Sequence, residues 1–105
     1  MKKMNRTLEV GDRALINRTL DEASALLERL NRLSGTTDQL RHALQKIHAD
    51  IVVLTTRIQG AIGRTGFHTI KPPIFSFELS NQRMGARLEQ FLCSFSETLD
   101  ILLEV

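Results

Sequence analysis

Residues 40–62 carry the pattern that most constrains what this chain can fold into. Apolar side chains recur there at alternating steps of four and three residues: Leu40, Leu44, Ile47, Ile51, Leu54, Ile58 and Ala61. This spacing places them along one side of an α-helix, where they can pack lengthwise against other helices. The other segments of the chain are therefore expected to provide the apolar surfaces that pack against this stripe.

A second apolar stripe lies in residues 12–34, after Gly11 and Asp12, which predict a break and a helix N-cap. It has the same four-three spacing: Ile16, Leu20, Ala23, Leu27 and Leu30. Between the two stripes, Gly35 is suited to the left-handed backbone that ends a helix, and Thr36 and Gln39 have capping-box spacing. So short a link predicts two antiparallel helices, at residues 12–34 and 37–62.

Residues 63–79 differ in character from the two helices. Glycines at 60, 63 and 66 and the Pro72–Pro73 pair predict that the helix ends and an irregular loop follows. Apolar and polar residues alternate within 74–79, which predicts a short extended segment. A third helix is expected at 81–105, capped by Ser80 or Asn81, with a broad apolar face. Its apolar residues are Met84, Leu88, Phe91, Leu92, Phe95, Leu99, Leu102 and Leu103.

The predicted fold is a single all-α domain: a long antiparallel helical hairpin plus a C-terminal helix, with an irregular Gly/Pro loop before that last helix. Three apolar stripes suit a three-helix bundle or an oligomeric helical bundle of coiled-coil character. Residues 1–11 are predicted to be a flexible basic arm.

Composition narrows the class of protein. The chain has 105 residues, a formal charge of +2 and one cysteine, so it cannot form an intrachain disulfide. The first residues are basic but lack the apolar run of a secretory signal, and no segment approaches the roughly 18 apolar residues of a membrane span. We therefore expect a cytoplasmic protein without a membrane span.

No catalytic, metal-binding or cofactor-binding constellation is expected from the sequence. His42 and His48 lie about 240° apart around a helix, so they cannot bind one metal together, and each is predicted to be solvated or to act as a cap. Cys93 is predicted to fill a small space in the core. The Gly63–Gly66 spacing is similar to the Gly-x-x-Gly loop of KH-type RNA-binding domains. Prolines follow it where that fold needs a helix, so the match does not predict a KH domain.

The sequence favours a non-catalytic helical protein that acts in protein–protein interaction or assembly. Such a protein could be a small adaptor, a chaperone-like subunit or a structural component of a larger complex, with a protein partner or self-association into a homo-oligomer. The expected partner-binding residues lie in the loop and at the C-terminus: Arg64, Phe67, His68, Lys71, Phe75, Phe77, Leu102 and Val105.

The alternative is a small nucleic-acid-binding protein. It would use Lys2, Lys3 and Arg6 of the basic arm together with the loop at residues 64–71. Salt dependence distinguishes the two hypotheses, because each phosphate neutralised by a protein releases a counterion. Association through apolar helix faces should instead persist at high salt.

Overall fold

Three α-helices are present in the computed structural model, which describes residues 10–65 and 70–104. They are α1 (Val10–Asn31), α2 (Thr37–Thr65) and α3 (Asn81–Glu104), and each packs against the other two. The molecule is elongated, with principal extents of 57 × 22 × 17 Å. The predicted all-α fold, with a helical hairpin, a C-terminal helix and an irregular connection before it, is confirmed.

Contacts between the helix ends define the relative directions of the helices. The guanidinium of Arg13, near the start of α1, donates to the Leu103 carbonyl oxygen at the end of α3, with Nη1 2.7 Å away. The Asn81 side chain at the start of α3 donates to the carbonyl of Thr37 at the start of α2, at 3.0 Å. Helices α2 and α3 therefore run parallel, and α1 runs antiparallel to both.

The predicted stripe of α2 forms the centre of the core. Six of its seven residues are buried and Leu40 is half-buried at the open end of the bundle. The predicted apolar face of α3 is buried or half-buried throughout. In α1 the buried positions are shifted toward one edge: Thr19 and Leu26 are buried, whereas Leu20 and Leu27 are half-buried. Thr19 is accommodated because its hydroxyl donates to the Leu15 carbonyl at 2.8 Å.

Three helix ends differ from prediction, and one of them is the end of α1, which lies at Asn31 instead of residue 34. Helix α1 begins at Val10, so Gly11 and Asp12 lie in its first turn instead of preceding it. Helix α2 continues through both of its glycines and ends at Thr65. A glycine costs a helix only about 1 kcal/mol relative to alanine. Burial of Ala61 and Ile62 beside the glycines offsets that cost.

The link between α1 and α2 has the predicted conformation at Gly35 and the predicted start of α2 at Thr37. Gly35 has a φ of 127°, in the region that favours glycine. The Gln39 backbone amide donates to the Thr36 hydroxyl at 3.2 Å, and the Thr36 amide donates to Oε1 of Gln39 at 3.0 Å. These reciprocal bonds are the predicted capping box.

Several side chains lie on a different side of their helix than expected. Cys93 is exposed, so its predicted role as a core filler is wrong. It follows Leu92 by about 100° around α3, which turns it away from the core. Val52 and Val53, which lie between the buried residues Ile51 and Leu54, are also exposed. Leu102 was an expected partner contact and is instead fully buried, so its side chain serves packing.

Candidate interaction surface

The connection to α3 lies along the surface of α2. Its described part, residues 70–80, is here called the strap. Gln59 donates to the Ile70 carbonyl and His48 Nε2 bonds to the Pro73 carbonyl, each at 2.7 Å, and Arg41 Nη2 donates to the Leu79 carbonyl at 2.5 Å. The strap therefore returns from the end of α2 to its start, where α3 begins.

The three residues of α2 that bind the strap form a line on the helix surface. Arg41 and His48 are seven residues apart and His48 and Gln59 are eleven apart, which at about 100° per residue leaves all three within roughly 20° of one another. We call Arg41, His48 and Gln59 the polar stripe. It lies beside the apolar stripe and holds the strap by side chains that donate to backbone carbonyls.

The length of the strap matches this stretch of helix. Residues 41–59 rise about 27 Å along α2, at about 1.5 Å per residue. Residues 70–76 span about 19 Å if the backbone has the polyproline II rise of about 3.1 Å per residue, and a turn over residues 76–79 adds up to about 7 Å. Residues 70–76 have no regular secondary structure, and a turn follows in which the Leu79 amide donates to the Ser76 carbonyl at 3.3 Å. The strap is thus an extended segment with a turn at its end.

Phe75 is the side chain that anchors the middle of the strap. Its ring meets the His48 ring edge-to-face with centroids 5.7 Å apart, and the Arg41 guanidinium carbon lies 5.5 Å from its centroid. Both contacts are favourable for an aromatic ring. Because the Pro73 carbonyl can only accept, His48 must carry its proton on Nε2. The predicted role of His48, solvated or capping, is therefore wrong. Its ring instead binds the strap to α2.

Within residues 70–77 of the strap, every third residue is exposed: Lys71, Ile74 and Phe77, the last two by 81% and 77%. A repeat of three is that of a polyproline II helix, whereas exposure in a strand would repeat every second residue. Of the residues predicted to form a short extended segment, 74–76 have no regular secondary structure and 77–79 lie in the turn. The Phe77 ring lies edge-to-face on Phe75 at 5.7 Å, so an exposed ring rests on an anchored one.

Three of the eight expected partner-binding residues lie within the strap: Lys71, Phe75 and Phe77. Phe67, His68, Val105 and the side chain of Arg64 lie outside the described residues, as does most of the basic arm. The structure adds Ile74 to the outward side and the polar stripe as its support. Neither feature was predicted from the sequence. The polar stripe in particular has only three members in nineteen positions, and its acceptors are backbone carbonyls.

A groove between α1 and α2 contains the two ion pairs found among the described residues. Arg57 Nη1 lies 2.6 Å from Glu22 Oε1, and Arg29 Nη1 lies 3.1 Å from Asp50 Oδ2. The other residues that line this groove are Ala25, Leu26, Val53 and Leu54. Each carboxylate in the groove accepts from an arginine, and the groove lining includes no serine, threonine, cysteine or histidine. Its geometry is that of a helix–helix contact braced by ion pairs.

The described residues contain no candidate metal site and no candidate membrane span, and the chain matches no known protein in three comparisons. In residues 10–65 and 70–104, no group of three or more histidine, cysteine or acidic side chains could hold a metal ion. None of the helices in this part of the chain combines the length and hydropathy needed to cross a bilayer. Comparisons with protein-family models, with curated proteins and with solved structures found no match.

Proposed function

We propose that this chain is a non-catalytic helical protein that acts in protein–protein interaction or assembly, and that the strap contacts a protein partner. The observation that carries the proposal is the pair Ile74 and Phe77, which are 81% and 77% exposed although their segment is fixed to α2. Single exposed apolar residues are ordinary on protein surfaces, but two large neighbours on one side of one segment form a patch.

Fixation of the strap favours binding. A segment that is already ordered loses less conformational entropy when a partner binds than a free loop does. Three helix side chains and the anchored Phe75 ring hold the backbone beneath Ile74 and Phe77. Aromatic and large apolar side chains of this kind provide most of the energy in many protein interfaces.

The chemistry of the patch defines the partner. Lys71 is exposed one repeat before Ile74, so the outward side has one cation followed by two apolar groups. The matching surface is a protein cleft that accepts an aromatic and a branched side chain, with a carboxylate near one end. The Arg41 guanidinium lies against Phe75 and bonds to the Leu79 carbonyl, so it is engaged within the molecule.

Site-specific photo-crosslinking tests this proposal. A benzophenone-bearing amino acid is introduced at position 74 or 77 in cells that express the chain, and at exposed Ser24 on α1 as a control. We expect a discrete protein adduct from 74 and 77 and none from 24. The Ile74→Ser variant should abolish the adduct formed at 77.

Two results would overturn the proposal. One is the absence of a discrete adduct at both strap positions, and the other is an equal adduct at Ser24. A nuclease-sensitive adduct whose yield falls steeply with salt would instead support the nucleic-acid alternative, because phosphate contacts release counterions.

A further inference from the structure

Most charged residues of α3 are arranged in two blocks, and one further acidic residue, Glu89, lies between them. Arg83 and Arg87 lie in its first two turns, and Glu97, Asp100 and Glu104 lie in its last turns. All five side chains are exposed. The first turn of α3 contains no acidic residue and the last turn contains no basic one. One end of this helix is therefore positive and the other end is negative.

This order is unfavourable within a single molecule. The N-terminus of a helix carries partial positive charge and favours acids, whereas the C-terminus favours bases. Like charges three or four residues apart also repel, and both blocks have that spacing. Among the described residues, neither ion pair involves α3. Interactions among residues 10–65 and 70–104 thus do not explain the arrangement.

Two positions of each block are symmetric about a point near the middle of α3. Positions 83 and 104 are equally distant from the midpoint between residues 93 and 94, and so are positions 87 and 100. Cys93 and Ser94 lie at that midpoint, and both are small and exposed. A second α3 laid antiparallel across this helix would therefore place each basic residue opposite an acidic one.

We propose that the exposed face of α3 binds α3 of a second copy of this chain, antiparallel, with the twofold axis next to Cys93. Arg83 of each copy faces Glu104 of the other, and Arg87 faces Asp100. The small side chains at the centre let the two helices approach. A parallel arrangement is disfavoured, because it would bring like charges together. This inference rests on the assembly role proposed above and names a partner for it, at a face distinct from the strap.

The proposed contact is mainly electrostatic. Residues 83–104 rise about 32 Å, at about 1.5 Å per residue, so the charged blocks lie near the two ends of a long contact. Ile101 is the large apolar side chain exposed beside it. Exposed charge pairs are screened by salt, with a Debye length of about 10 Å at 0.1 M. We therefore expect a reversible dimer that dissociates as salt is raised or the protein is diluted.

Sedimentation equilibrium of the purified full chain tests the dimer. An acidic variant carries Arg83→Glu and Arg87→Glu, and a basic variant carries Glu97→Lys, Asp100→Lys and Glu104→Lys. We expect the native chain to dimerise at low salt and each variant alone to be monomeric. An equimolar mixture of the variants should form a heterodimer, because every facing pair again has opposite signs.

The reversals also provide a control for folding. Each variant places charge where the helix dipole favours it, so its thermal midpoint should equal or exceed that of the native chain. Ile74→Ser leaves α3 unchanged, and it should lose the strap adduct while it keeps the dimer mass. Failure of the strap proposal and failure of the dimer are therefore distinguishable.

Oxidation tests the position of the axis. With added diamide, which accepts the two electrons and two protons released by a pair of thiols, Cys93 should form an interchain disulfide faster at low salt than at high salt, because it lies beside the same residue of the partner. As a control, Cys93→Ser combined with Ala86→Cys moves the thiol two turns along the exposed face, where it should not crosslink. A monomeric native chain at every concentration, reversal variants that still dimerise, or equal crosslinking from position 86 would overturn the proposal.

Discussion

Helix α2 has two sides with different repeats, the apolar stripe and the polar stripe. Its apolar stripe repeats every three or four residues and packs into the core. Its polar stripe has members seven and eleven residues apart and binds the strap by hydrogen bonds. The first determines whether the chain folds, whereas the second determines where one connection lies. A dense pattern is visible in a sequence, and a sparse one is not.

The two sides should differ most in what a single substitution costs. Leu54 is buried in the apolar stripe, so Leu54→Asp removes core packing and buries a charge. Core truncation alone costs about 2–5 kcal/mol, which is a large part of the roughly 5–15 kcal/mol stability of a small domain. We expect an unfolded or disassembled protein by circular dichroism.

The control is the adjacent residue. Val53 is 56% exposed, and Val53→Asp should change the free energy of unfolding by no more than about 0.5 kcal/mol. A folded Leu54→Asp protein with a normal melting temperature would mean that the apolar stripe is not the core.

Loss of a polar-stripe contact should have a smaller and more local effect. His48→Ala removes the bond to the Pro73 carbonyl and the contact with Phe75, together worth about 1–2 kcal/mol. We expect slightly lower stability in urea and clearly faster chymotryptic cleavage after Phe77. His42→Ala is the matched control, because His42 is exposed on the same helix. Equal cleavage rates in the two variants would show that His48 does not hold the strap.

The short link and the strap explain which parts of this structure a sequence can predict. Gly35, Thr36 and Gln39 lie within five residues, and their conformations follow from local chemistry that residue type reveals. The strap depends on bonds between residues up to 38 positions apart, and its acceptors are backbone carbonyls that every residue has. Its hydrogen bonds therefore have no sequence signature.

Errors within the helices have a different origin. Cys93 was predicted to lie in the core because it is apolar and has apolar neighbours, but one residue turns a helix by about 100°. Thr19 was overlooked because it is polar, although its bond to the Leu15 carbonyl makes burial inexpensive. In both cases burial depends on the position around the helix, and a prediction from residue type alone is wrong.

Substitutions in the ion pairs between α2 and α1 should lower the free energy of unfolding less than substitutions in the apolar stripe or the polar stripe. Arg29 and Asp50 form an ion pair at 3.1 Å, but their side chains are 49% and 44% exposed, so water screens them. Such surface pairs contribute about 0–1 kcal/mol. We expect Arg29→Ala to lower the free energy of unfolding by less than His48→Ala does, and the loss should shrink at high salt.

A double-mutant cycle isolates the pair from other effects of the two truncations. Arg29→Ala, Asp50→Ala and the double variant are compared by urea unfolding, with Arg18→Ala as an exposed arginine control on α1. We expect a coupling energy below about 1 kcal/mol and no measurable change for Arg18→Ala. A coupling energy between Arg29 and Asp50 that exceeds the stability lost in His48→Ala would contradict this order. The ion pairs, and not the strap contacts, would then be the stronger polar constraint on α2.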